Sequence, residues 1–319
     1  MTHDPDRFVT VMRAVAYEKF GDADVLEVRD LPEPHIGPDT VVVKVVAAGV
    51  NPVDYKIREG YLQGLIDVDL PAIPGWDVAG VVEKVGLDTP ELQAGDEVYA
   101  YARKDVVSGG TLAEYVAVPV RTAALKPASL SFEEAAAVPL AGLTALQSVR
   151  RAGVAEGSTV LVHAAAGGVG SFAVQLAVHA GARVVGTASE RNHDYVRSLG
   201  AEPVAYGEGL VERARALAPE GFDVILDYVG GDAIDTAAAL LKEGGHIASI
   251  TDARARDELG GSYVWVRPDA DDLADLTRLI EAGAVTVEIA EVFDLEKAAE
   301  AHRAVETGHT RGKVVVRVG

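Results

Sequence analysis

Two hydrophobic rhythms run along the chain. Through residue 118 the apolar residues fall in short, valine-rich runs broken by proline and glycine, as β-strands joined by tight turns require. Strands are predicted at Met12–Tyr17, Val25–Val28, Val41–Ala48, Val78–Val85, Glu97–Ala100 and Leu112–Val118. Residues 51–75 are irregular apart from a short helix around Asp54–Arg58. From Ser131 strands and helices alternate. Helices are predicted at Phe132–Val138, Thr144–Arg151, Phe172–Ala180, Asp194–Leu199, Leu210–Ala218 and Ala233–Leu241. Strands are predicted at Thr159–His163, Arg183–Thr187, Val224–Asp227 and His246–Ile250. Such alternation gives a doubly wound parallel sheet. Gly200-Ala201 and Gly244-Gly245 read as helix ends. The tail adds a strand at Tyr263–Val266, helices at Asp271–Ala282 and Leu295–Thr307, and a last strand at Lys313–Val318.

One junction carries chemistry. The buried strand Val160–His163 runs into Ala164-Ala165-Ala166-Gly167-Gly168-Val169-Gly170 and then into a helix. Against the dinucleotide pattern G-x-G-x-x-G, the spaced positions are Ala165, Gly167 and Gly170. A small residue at Ala165 lets the chain reverse tightly. Gly167 lets a pyrophosphate approach the backbone, and Gly170 lets helix pack on strand. The N–H groups of the helix N-terminus then face the phosphates. Ala166, Gly167, Gly168, Val169 and Gly170 are therefore candidate cofactor-binding residues.

Composition narrows the field. A chain of 319 residues, 49% of them hydrophobic, suits about two domains with a substantial core. A net charge of −20 repels nucleic acid and anionic membranes. The absence of cysteine excludes disulfides, thiolate catalysis and cysteine-ligated metals. No apolar run is long enough to span a bilayer and no secretory signal is recognisable, so a cytoplasmic location is expected. The first ten or so residues are polar and read as a disordered tail, with the fold starting near Met12.

Six segments in order make the chain resemble a medium-chain dehydrogenase/reductase of the zinc-free quinone oxidoreductase (ζ-crystallin-like) branch. They are Ala48–Asp54, Pro74–Gly80, Ala94–Val98, Gly142–Ala145, the glycine turn, and Gly312–Val315. The resemblance implies an α/β fold: a GroES-like β domain and a Rossmann domain with a doubly wound parallel sheet. The GroES-like catalytic domain would span 1–128 and be completed by 267–319, with the NADP-binding Rossmann domain at 129–266. It implies a homodimer and a site in the cleft between the domains. Zinc-dependent relatives carry Cys where this chain has Asn51, and Gly-His-Glu where it has Gly75-Trp76-Asp77. Tryptophan cannot ligate zinc, so no metal is expected.

NADPH is the expected cofactor. The tip of the second Rossmann strand is Ala188, where NAD-preferring domains place a carboxylate. Ser189 can donate a hydrogen bond to a 2′-phosphate, and Arg191 either supplies charge or is a surface residue. The resemblance places Tyr206 near the adenosine phosphate, Thr144 at the nicotinamide face, and Asn51 beside nicotinamide and substrate. Val229-Gly230, Ser249-Ile250 and the Tyr263–Val266 strand, through Val264 and Val266, line the cofactor pocket. Lys56 stabilises an oxyanion or is solvated, and Tyr61 is a further hydroxyl near the cleft. The Arg311-Gly312-Lys313 cluster reads as a solvated turn, with reach to the cofactor as the alternative. The chemistry left is hydride transfer to a quinone or activated α,β-unsaturated carbonyl. The alternatives are an enoyl- or 2-alkenal reductase, and a non-catalytic NADPH-binding structural or sensor protein.

Overall fold

Alternating strands and helices over residues 159–263 assemble, in a computed structural model describing residues 10–319, into a six-stranded parallel sheet. Counting its strands along the chain, their spatial order is 3-2-1-4-5-6, the doubly wound order that leaves a crevice where the winding reverses. The central strand Thr159–Val162 pairs with Arg183–Thr187 on one side and Phe222–Asp227 on the other. Its Val160, Leu161 and Val162 are fully buried, as strands covered on both faces require. The expected polar tail lies outside the described residues, apart from Thr10.

The valine-rich half folds around a second sheet. Its long central strand, Thr40–Val50, pairs with Asp77–Val85, with Tyr115–Pro119 and with the C-terminal strand Lys313–Arg317. The last strand of the chain thus completes the sheet begun by the first half. The helix Pro52–Arg58 follows Thr40–Val50 directly, and Pro52 fits the first helical turn, where no N–H is needed. Fully buried Arg58 fastens this helix to the C-terminal helix Ala298–Glu306. Its Nη2 donates to Glu306 Oε1 at 2.8 Å, and its Nη1 lies 3.2 Å from His302 Nδ1. No helix among the described residues is long and apolar enough to cross a membrane.

Several boundaries differ from the sequence reading. Gly244-Gly245 do not end a helix: the helix Asp232–Leu240 stops earlier, and both glycines lie inside the strand Leu241–Ser249. Gly244, at φ +76°, sits beside a register shift against Phe222–Val224, a bulge that glycine tolerates. The helix predicted from Thr144 starts at Pro139, again with proline in the first turn. A short turn of 3-10 helix at Ala23–Val25 displaces the predicted second strand to Glu27–Pro32. Of the predicted strand Tyr263–Val266 only Tyr263 is strand, in the two-residue element Ser262–Tyr263.

Candidate active site

The C-terminal ends of the central parallel strands open into a cleft of about 730 Å³, within the usual range for a small-molecule or cofactor site. Each strand delivers residues to it: Ala166 and Gly167, then Ser189 and Arg191, then Tyr206, then Val229. The sequence reading singled out all six, and the fold brings them together. It missed a contribution from the other domain, Gly308–Thr310, and it missed His163.

The turn itself is a cradle. The chain reverses at Ala164, whose φ of +53° is rare for a residue with a side chain. Ala165, one residue later, instead packs against the next strand, where a Cβ on Gly186 would come within 2.6 Å of its own. A Cβ on Gly170 would lie 2.1 Å from the Ala164 carbonyl oxygen, so only glycine lets the helix approach. The helix Gly168–His179 begins with Gly167 as its cap, which has no side chain to occupy the N–H groups of the first turn. Those groups fit a diphosphate. A buried atom points the same way. Thr187 Oγ1 accepts from the Ala164 N–H at 3.0 Å and lies 3.5 Å from His163 Nδ1, whereas His163 Nε2 is buried with no protein partner. Burial pushes the His163 pKa down, toward the neutral imidazole, against the smaller pull of the Asp227 charge.

The tip of the second strand, Ala188, is buried and small, and Glu190 beyond it is exposed. Arg191 is exposed beside the cleft, its guanidinium 3.4 Å from the His309 carbonyl oxygen. Glu208, Glu212 and Asp232 also line the cleft, so Arg191 is the cation available to an added phosphate on its side. At the end of the fourth strand Asp227 accepts from the N–H groups of Val229 and Gly230, each at 3.0 Å, and from Ser249 Oγ at 2.6 Å. Ser249 therefore turns its hydroxyl into the protein. Asp227 was not foreseen, although Asp227-Tyr228-Val229-Gly230 is the composition of a turn in which the aspartate side chain bonds the backbone ahead.

Beside the glycine turn lies a second, dry cluster. Asn51, Asp54, Asp77 and Lys313 are all buried, Asn51 at 2% exposure and Lys313 at 5%. Asn51 Nδ2 donates to Asp77 Oδ2 at 2.9 Å, and its Oδ1 accepts from Lys313 Nζ. Lys313 Nζ also reaches the Val50 carbonyl at 3.3 Å and Asp77 Oδ2 at 3.7 Å. Asp77 Oδ1 accepts from the Leu140 N–H at 2.8 Å, and Asp54 Oδ2 from the Asn51 N–H at 2.7 Å. Burial pushes Asp77 up and Lys313 down, each toward its neutral form, and their mutual attraction opposes both shifts. Burial likewise pushes Asp54 up to about 7, with the Asp77 charge adding to the rise. The solvated turn expected at Arg311–Lys313 is thus corrected for Lys313. A lysine heading a run of valines carries no local sign that its amine will meet residues 51 and 77.

The remaining predicted residues are scattered. Thr144 is buried, but its hydroxyl donates to the Leu140 carbonyl at 2.6 Å within its own helix. Val264 is buried and Val266 and Ile250 half-buried, near the sheet end marked by Ser249. Lys56 is exposed, on the helix face opposite Asp54, and Tyr61 is 74% exposed. Neither joins the cluster around Asn51. Trp76 is buried with its ring edge-on to Tyr101, centroids 5.9 Å apart. No group of three or more His, Cys, Asp or Glu side chains among the described residues is placed to hold a metal.

A Rossmann crevice beside a β domain closed by the C-terminal strand defines a two-domain dinucleotide-dependent oxidoreductase fold. Comparison with known proteins agrees. The profile described as alcohol dehydrogenase GroES-like domain matches residues 37–128, and that described as zinc-binding dehydrogenase matches residues 199–316. The chain is 40% identical over 315 residues to the chloroplastic NADPH-dependent alkenal/one oxidoreductase of Arabidopsis thaliana, covering 96% of this chain and 79% of that protein. It superposes on the quinone oxidoreductase of Coxiella burnetii with TM-score 0.87 at 36% identity, covering 97% of this chain and all of the other. It also superposes, at TM-score 0.83 and 29% identity, on mycobacterial Rv1454c complexed with NADPH, covering 96% of this chain and all of the other. The chain belongs to the medium-chain dehydrogenase/reductase family, in its quinone oxidoreductase-like branch.

Proposed function

We propose that the protein is an NADPH-dependent oxidoreductase that reduces quinones or other activated α,β-unsaturated carbonyls without a metal. One observation carries the reading: a glycine turn fit for a diphosphate is linked through Gly312 and Lys313 to a buried, hydrogen-bonded asparagine. The Gly312 N–H donates to the Ala166 carbonyl at 3.1 Å, and Lys313 Nζ donates to Asn51 Oδ1. The names of the relatives support the cofactor and the acceptor class.

Bound NADPH would supply the hydride, and the chain's own part is to bind, orient and exclude water. Backbone N–H groups from Ala166 to Gly170 would hold the diphosphate. Ser189 and Arg191 would take the 2′-phosphate, and Tyr206 the adenosine side. Thr144, Val229, Ser249, Ile250, Val264 and Val266 would surround the nicotinamide, largely through backbone and apolar contact. Asn51 would hydrogen-bond the carboxamide or the acceptor oxygen. Lys56 and Tyr61, both exposed, are assigned to the acceptor side, with water as the alternative proton source. The domain limits at 128/129 and 266/267, a homodimer and a cytoplasmic location are part of the same proposal.

The test is NADPH oxidation with a panel of quinones and enones. Turnover with either class, and much slower turnover with NADH, is expected. NADH preferred with every acceptor would overturn the proposal. The 40% relative, named for alkenals and enones, favours 2-alkenals as the first acceptors to try. A purely sensory protein would instead gain thermal stability from NADPH and turn over nothing.

A further inference from the structure

The hydrogen bonds around Asn51 are not symmetric. An ammonium carries only donors and a carboxylate only acceptors, so each accepts just one end of a carboxamide. Lys313 Nζ faces Oδ1, and Asp77 Oδ2 faces Nδ2 at 2.9 Å. Rotating the amide by half a turn would set its N–H groups against the ammonium and its oxygen against the carboxylate, two repulsive contacts in a dry site. The amine itself is surrounded by acceptors: the Val50 carbonyl at 3.3 Å, Asn51 Oδ1, and Asp77 Oδ2 at 3.7 Å. The first two accept hydrogen bonds from the amine, and the Asp77 carboxylate lies beyond them at ion-pair distance. One Nδ2–H of Asn51 is left unclaimed.

The lysine stem is held as firmly as its head. Gly312 forms a parallel bridge with Gly167, and its N–H donates to the Ala166 carbonyl. A Cβ on Gly168 would lie 3.0 Å from Lys313 Cδ, so the stem lies along the glycine turn. One side chain therefore touches the phosphate cradle with its stem and Asn51 with its head.

We propose that Lys313 is a positioning residue, which together with Asp77 fixes the Asn51 carboxamide in one orientation and sets it in register with the glycine turn. Asn51 then presents an N–H donor, not an oxygen, to the ring carboxamide or acceptor oxygen beside it. The inference rests on the proposed site but concerns the geometry of the protein's own side chains.

The test is Lys313→Met, which keeps an unbranched apolar stem and removes the charge. Three quantities are read: the crystal structure without ligand, the NADPH dissociation constant by fluorescence, and the hydride-transfer rate per bound NADPH. The Asn51 amide is expected to leave its position against Asp77. The rate should fall about 10- to 100-fold, the scale on which misplacement by an ångström acts. The dissociation constant should stay within about threefold, because backbone groups hold the diphosphate. Lys313→Arg, still a donor-only cation, should keep the Asn51 orientation and restore most of the rate. A merely structural lysine would lower stability and the yield of active protein while the rate per bound NADPH stayed unchanged. An unmoved Asn51 with a rate within twofold of wild type overturns the proposal. Should the Met variant fail to fold, Lys313→Gln replaces it with the same three readings. A wild-type protein inert toward every acceptor would defeat the functional proposal, and the Asn51 orientation in the variant crystals would still decide this one.

Discussion

The cleft at the ends of the parallel strands is wide, lined by small residues with Arg191 and several carboxylates among them, and rimmed by exposed Tyr206 and Val229. The cluster around Asn51 is buried and sets that amide between side-chain charges. The first is suited to affinity: helix N–H groups and one exposed arginine would hold anionic groups there. The second is suited to orientation, because a buried network of charges tolerates few arrangements. Binding strength and chemical geometry would thereby fall to different residues, joined by Gly312 and the strand Lys313–Arg317 that follows it.

Variants can break this contrast from either side. Removing the carboxylate in Asp77→Ala strands a buried ammonium and two N–H donors. It should destabilise the fold by about 3–5 kcal/mol, the usual cost of breaking a buried pair, as read by urea denaturation. A loss below about 1 kcal/mol would show the cluster to be solvated and the contrast false. On the cleft side, Gly170→Ala forces a Cβ toward the Ala164 carbonyl, 2.1 Å away. It should destabilise by about 1–3 kcal/mol, as overpacking does. NADPH binding, followed by calorimetry, should weaken with it. An unchanged dissociation constant would move the diphosphate away from this turn.

A smaller and more selective effect is expected at the rim. Arg191→Glu should weaken NADPH about tenfold, roughly 1.4 kcal/mol, and leave NADH nearly unaffected. Equal affinities for the two coenzymes before and after the change would remove Arg191 from the phosphate site. A different kind of effect, a pH dependence, is expected from the buried cluster. Burial raises Asp54 to about 7 from an ordinary value near 3.8. Between those pH values the folded protein keeps a proton that the unfolded chain has released. The stability this group contributes is complete below about pH 4 and is lost as the pH climbs through about 7. Asp54→Asn does not titrate, so its stability relative to wild type should improve from about pH 5 to about pH 8 in denaturant titrations. A constant difference would place Asp54 in water.

The same contrast explains what could be read from the chain. The cleft residues follow strand ends directly, and the glycine turn is contiguous, so short-range pattern sufficed for Gly167, Ser189, Arg191 and Val229. The doubly wound sheet followed from the alternation of strand and helix. The cluster joins residues 262 positions apart, Asn51 and Lys313, and no local rhythm encodes that meeting. Resemblance pointed to Asn51, but the lysine that holds it looked like part of a surface turn. Gly244-Gly245 misled for a related reason. Glycine marks a helix end or a bulge equally well, and strand pairing across the sheet decided between them. The tight reversal falls at Ala164, one residue before the position that counting back from Gly167 and Gly170 indicates, because three alanines in a row carry no local mark of which one takes positive φ.

The most direct test is a crystal structure of the protein grown with NADPH. The account predicts the diphosphate against the N–H groups of residues 166–170 and the nicotinamide ring beside Asn51, with the Asn51 amide still clamped between Lys313 and Asp77. A coenzyme bound elsewhere, or a nicotinamide ring remote from Asn51 with the diphosphate in place, would contradict it.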